Sequence, residues 1–205
     1  MIRKAVYRKS ETSKAQVLDA AMRVFAQDGI RAASVQDVAN AAGMSKGAVH
    51  YHFESKDDPI IQVMKHACVR ISDRVRAVFE LPGLPLEKVR RAMAEMWNVR
   101  AEGTPEIRVV LDVMMQALHD PLLKIAVGDV IRDARQQVVD VGLKHLLELG
   151  LKPRISIELI PRLLLASLDG LAIHHLFDPV ASEEVDEMLR AVERITLALF
   201  EIPGT

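Results

Sequence analysis

Gly43 divides residues 34–53 into two short stretches, each with a helical apolar pattern, and no other feature limits the fold of this chain as much. Ser34 is a good N-cap with Asp37 three residues on, so a helix starts there with Val35, Val38 and Ala39 on its apolar face. Glycine takes positive φ without a Cβ clash, so Gly43 ends that helix and turns the chain, and Ser45 caps a second one. Ala39 is small enough to let the two helices cross closely, with Met44 and Val49 facing the crossing. Lys46, Ala48, His50 and Tyr51 are left pointing outward. Two helices in this relation are how a protein lays one helix in the DNA major groove, although a hairpin that merely packs shares the same apolar spacing.

Composition sets the frame around this motif. Half of the 205 residues are hydrophobic and 4% are aromatic, which favours helices packed on helices over sheets. A single cysteine, Cys68, excludes an internal disulfide and a multi-cysteine zinc site, and fits a reducing cytoplasm. No charge-free apolar run approaches the roughly 18 residues of a membrane span, and the basic N-terminus lacks the apolar core of a signal peptide. The net charge of −1 hides an asymmetry: residues 1–56 hold nine basic against five acidic side chains, a net +4, so the remainder carries −5. A basic end on an acidic body is the layout expected when only the end meets phosphate. The same tail charges also suit a merely solvated segment.

The periodicity predicts about nine helices and no strand. The first covers 12–27, with Val17, Leu18, Ala21, Val24 and Phe25 at helical spacing and Gly29 ending it. A fourth starts at Ser55, takes Pro59 in its first turn and runs to Phe79 on a stripe of Ile60, Met64, Ala67, Ile71, Val75 and Val78. Pro82, Gly83 and Pro85 form the clearest break in the chain. Further helices are expected over 86–101, 105–118, 121–149, 155–176 and 182–200.

The run 17–56 resembles the DNA-binding domain of TetR-type transcriptional regulators. The resemblance is carried by Ala20-Ala21, Val24-Phe25-Ala26, Asp28-Gly29, Ser34-Val35, Val38-Ala39, Ala42-Gly43-Met44-Ser45-Lys46-Gly47, His52-Phe53 and Ser55-Lys56. It implies an all-α homodimer. Residues 1–54 would form a three-helix helix-turn-helix domain that binds an operator, and residues 55–205 a helical ligand-binding and dimerisation domain. Where the family usually carries a tyrosine two positions before His52, this chain has His50, with Tyr51 beside it. The function so implied is a sequence-specific regulator, a repressor in the commoner outcome, released from a palindromic operator by a small effector.

Individual residues take roles within that frame. Ser34 and Val35, at a helix N-terminus, and Lys56 are expected to hold phosphates, which orients the protein without reading sequence. Ser45, Lys46, Gly47, Ala48, His50 and Tyr51 lie on the groove helix, where Lys46 is suited to guanine and Ala48 to a thymine methyl. One short helix reads few base pairs, so two half-sites and a two-fold dimer are expected. Leu163, Ala166, Gly170, Leu171 and His174 on the eighth helix, with Met188, Val192, Ile195 and Leu199 on the ninth, are the candidate interface. Met93, Trp97, Arg108, Asp112, Met115, His119 and His174 are the candidate ligand residues, suited to an apolar or amphipathic effector. His174 and His175 point to different sides of a helix, so no metal is expected, nor any cofactor. There is no Gly-rich phosphate loop, nucleophile elbow or two-histidine zinc spacing, so an enzyme is not expected. The alternative from another class is an all-helical small-molecule carrier or enzyme with a degenerate head. A third, a nucleoid-type binder without sequence preference, is disfavoured by the acidic body.

Overall fold

The computed structural model describes residues 2–53 and 59–201, and of residues 2–11 the backbone only. The architecture is all-α. In chain order the elements are α1 (Ile2–Asp28), α2 (Val35–Ala42), α3 (Lys46–Phe53), α4 (Pro59–Glu80), α5 (Pro85–Ala101), α6 (Pro105–Ala117) and α7 (Pro121–Gln137). A π-helical turn (Val138–Leu143) leads into α8 (Lys144–Glu148), followed by β1 (Lys152–Pro153), α9 (Leu159–Phe177), α10 (Ser182–Ala198) and β2 (Phe200–Glu201).

The packing resolves into two compact units, residues 1–70 with 105–130 and residues 71–104 with 131–205. In the first, α1 packs on α2, α3 and α6. It buries Val17, Ala21 and Val24 of the stripe its helical spacing predicts, with Ala20 and Met22 beside them, while Leu18 and Phe25 are half-buried. This division differs from one at residue 54 because α6 joins the N-terminal helices. Asp112 of α6 accepts the Ile30 N–H at 2.9 Å, tying α6 to the turn that follows α1. In the second unit α5 packs on α9, and α10 on both. Met93, Met96, Leu164, Leu168 and Val192 form one buried cluster there, and Leu143, Leu146, Ile160 and Phe200 another.

Several boundaries depart from the periodicity. Helix α1 begins at Ile2 rather than near residue 12, so the basic segment is helical backbone. The start expected for α4 at Ser55 lies outside the described residues. The single rod expected over 121–149 is broken by the π-helical turn. Its run Val138, Val139, Val141 and Gly142 combines β-branched residues and glycine, the weaker helix formers. A two-residue antiparallel ladder joins Lys152 to Glu201 and Pro153 to Phe200, where no strand was expected. Two residues are too short to show a period of two. Their pairing is completed by Arg154, whose backbone N–H donates to Leu199 O at 2.8 Å and whose Nε donates to Phe200 O at 3.1 Å.

Helix α9 is long and apolar enough, by length and composition, to cross a membrane. It nevertheless carries Arg162 and Asp169, and its buried face, Leu164, Leu168 and Ala172, belongs to the core of the second unit.

Candidate nucleic-acid interface

The reading end is built by local hydrogen bonds. Ser34 has extended backbone, φ −108 and ψ 159, and its hydroxyl accepts the Asp37 N–H at 3.2 Å. Asp37 Oδ2 in turn accepts the Ser34 N–H at 2.9 Å and the Ser34 hydroxyl at 2.6 Å. These two donors, the hydroxyl first, hold the Asp37 carboxyl below its ordinary pKa of 3.8. The box also corrects one expectation, because the Ser34 N–H expected for phosphate is already satisfied by Asp37. Helix α2 then ends on Gly43 at φ 64 and ψ 32, the left-handed conformation that glycine adopts without steric penalty. Gly43 N–H donates to Ala39 O and Asn40 O, and the chain turns within two residues.

Helix α3 follows with Ser45 Oγ accepting the Ala48 N–H at 3.2 Å. Val49 is wholly buried and fixes its inner face. Lys46, Gly47, His50 and Tyr51 are exposed. They recur at i, i+1, i+4 and i+5, one side of a helix. Ala48 is half-buried at the edge of that side, Ser45 is exposed at its start, and Tyr51 is 68% exposed. Val35 is half-buried. Lys56 lies outside the described residues.

The last turn of α3 and the end of α2 are each fastened to α1. Ser13 Oγ and His52 Nε2 are 3.0 Å apart, and Gln16 Nε2 donates to Ala42 O at 2.9 Å. The Tyr51 ring meets His52 edge-on at 5.6 Å. An ion-paired group holds α4 to α1 and α6: Asp19 Oδ1 lies 2.8 Å from His66 Nε2 and 3.1 Å from Arg70, which also donates to Glu106 at 2.8 Å. A polar edge carried on a helix capped at its start by Ser45 and pinned at its last turn through His52 is pre-organised, which is what groove recognition requires of a reading helix.

The candidate ligand residues are not gathered in either compact unit. Met93 and Trp97 are buried on α5 in the second unit, whereas Arg108, Asp112, Met115 and His119 belong to the first. Arg108, Met115 and His119 are exposed there. Asp112 is engaged with the Ile30 N–H and with Gln116 Nε2 at 3.0 Å, a structural post rather than an open ligand group. His174 is exposed on α9. Its neighbour His175, not singled out from the sequence, is the one that meets Trp97, edge-on at 5.3 Å. The spacing contained that signal, since 168, 172 and 175 fall on one helical face.

The expected interface stripe divides in two. Leu163, Ala166 and His174 on α9 and Ile195 on α10 are exposed, with Phe177 at 85% exposure beyond them. Gly170 and Met188 are half-buried. Val192 is instead part of the unit's own core, and Leu171 and Leu199 pack against that core, so these three face inward.

Comparison with known proteins agrees with this geometry. The profile of bacterial regulatory proteins of the tetR family matches residues 17–59, and that of the BetI-type transcriptional repressor C-terminal domain matches residues 85–201. The chain is 29% identical over 175 residues to the HTH-type transcriptional regulator PksA of Bacillus subtilis, covering 83% of this chain and 82% of that one. A transcriptional regulator from Rhodococcus has the same fold, with a TM-score of 0.71 at 24% identity over 92% of this chain and 98% of its own. A TetR transcription regulator from Haloarcula marismortui does too, at 0.69 and 19% over 93% and 100%. With a braced helix-turn-helix at one end and both parts of its length matched by family profiles, the chain belongs to the TetR family of DNA-binding transcriptional regulators.

Proposed function

We propose that the protein is a homodimeric repressor that reads a two-fold-symmetric duplex operator through α3 and leaves it when a small apolar or amphipathic effector binds within residues 55–205. In this reading residues 1–54 are the functional DNA-binding part, and the protein works in the cytoplasm without catalysing a reaction. The observation that carries it is the exposed edge of Ser45, Lys46, Gly47, His50 and Tyr51, backed by buried Val49 and pinned through His52 to α1. Lys46 donates to a guanine edge and Ala48 meets a thymine methyl, while Val35 and Lys56 address the backbone. The apolar residues that α9 and α10 leave open, Leu163, Ala166 and Ile195, pair with their symmetry mates and set the spacing of two reading heads. Release follows from linkage: an effector that favours heads out of register lowers operator affinity by the same free energy that the operator costs the effector, typically about 1–3 kcal/mol.

Selection of bound sequences from random duplex DNA tests the reading, with enrichment of an inverted repeat as the expected result. Lys46→Ala, titrated against the enriched duplex in a gel shift at fixed salt, is expected to weaken binding by at least about fivefold. Failure to enrich any duplex overturns the reading, and unchanged affinity of the variant removes Lys46 from the contact.

A further inference from the structure

We infer that the side-chain oxygen of Gln137, at the entrance to the π-helical turn, is the group by which this protein recognises its effector, and that the effector is an amphiphile whose head group carries a hydrogen-bond donor such as a hydroxyl or amide. The inference rests on the effector-controlled reading above. Gln137 Oε1 is fully enclosed and accepts no hydrogen bond from a described residue. A carboxamide oxygen has two lone pairs, and native proteins rarely leave such an acceptor buried and unmet.

Its position is equally unusual. Gln137 is the last residue of α7, directly before Val138–Leu143. Single π-helical turns inside α-helices are rare and concentrate at functional sites. Val138, the next residue, packs on the cluster of Met93, Met96, Leu164, Leu168 and Val192. Met93 and Met96 of that cluster are flexible side chains that repack around an apolar neighbour, so the effector's apolar tail is seated against them.

A head group that only accepts hydrogen bonds, such as an ether or a bare carboxylate, cannot satisfy Oε1, so the head must bring a hydrogen-bond donor.

The turn also lies against the last turn of α4. A Cβ on Gly142 would sit 3.9 Å from Phe79 Cζ, and the Phe79 ring stacks on His145 at 4.8 Å with 12° between planes. Phe79 is in the last turn of α4, and its carbonyl accepts the Lys88 ammonium at 2.8 Å. A ligand at Gln137 therefore enters beside the turn that Phe79 and His145 pack against.

The test uses the intrinsic fluorescence of Trp97, the only tryptophan in the chain. The full-length protein is titrated with 1-decanol and with its donor-free methyl ether, 1-methoxydecane. The alcohol is expected to bind about tenfold more tightly than the ether, and Gln137→Leu to lose that preference while keeping the ether affinity. In the unmodified protein, the Gln137 side-chain amide resonance should shift with the alcohol and not with the ether, a readout that needs no folded variant. Equal affinities for the two probes, binding of neither, or a preference retained in Gln137→Leu, as when only water meets the oxygen, each overturn the inference. Duplex binding is measured separately without probe. If no duplex binds yet the Gln137-dependent preference persists, the repressor reading fails and the recognition site stands.

Discussion

At the scale of single residues, the reading end depends on one backbone conformation and one cap. Gly43 holds φ 64, and a Cβ built there meets nothing within 4 Å, so a substitution pays no packing penalty. Gly43→Ala is therefore expected to cost only the left-handed conformation, about 1–2 kcal/mol, and Gly43→Asn less, because asparagine tolerates that region. Urea titration of both variants checks the order; an alanine variant as stable as the parent contradicts it. Both Gly43 and the Ser34–Asp37 box were legible in the sequence, since each is closed by hydrogen bonds to residues at most four or five positions away. The identity of the occupied donor was less so. That Asp37 takes the Ser34 N–H, and so removes it from phosphate binding, follows from side-chain geometry that the motif spacing does not specify.

At the scale of elements, helices that periodicity predicted are fixed in place by ion pairs that it did not. Arg100 is 8% exposed on α5, donating through Nε to Asp169 of α9 at 2.6 Å and through Nη1 to Met96 O at 2.8 Å. Glu193 of α10, equally enclosed, receives both forks of Arg90, at 2.9 and 2.7 Å. Removing one partner leaves a buried charge uncompensated, a larger penalty than the pair's own net contribution. Asp169→Asn should accordingly lower stability by about 3 kcal/mol. The denaturant midpoint should fall with an unchanged slope. A loss below about 0.5 kcal/mol would show that Arg100 is solvated without its partner. Nothing local announces such pairs: residues 100 and 169 meet only because α5 and α9 pack.

At the scale of the whole molecule, the proposed dimer turns on the part of α9 and α10 that the chain's own core leaves uncovered. Leu163 and Ile195, at 48% and 63% exposure, lie there, while Val192, expected beside them, is consumed internally. Leu163→Glu should convert the dimer to a monomer in light scattering at micromolar concentration, with the circular dichroism of the helices unchanged. Operator affinity should fall with it, since one head reads only half a site. A dimer that survives the substitution places the interface elsewhere.

The sequence by itself determined the helical class, the caps and turn of the reading motif and the exposed edge of α3. Each of these is settled by residues within one or two helical turns of one another. Only the tertiary structure decided that α6 joins the N-terminal helices through Asp112 and Ile30, that His175 rather than His174 meets Trp97, and which apolar residues of α9 and α10 turn inward. An amphipathic pattern states that a helix has an apolar side. It does not state which neighbour covers it, because that depends on contacts across large sequence separations, such as the 82 positions between Ile30 and Asp112.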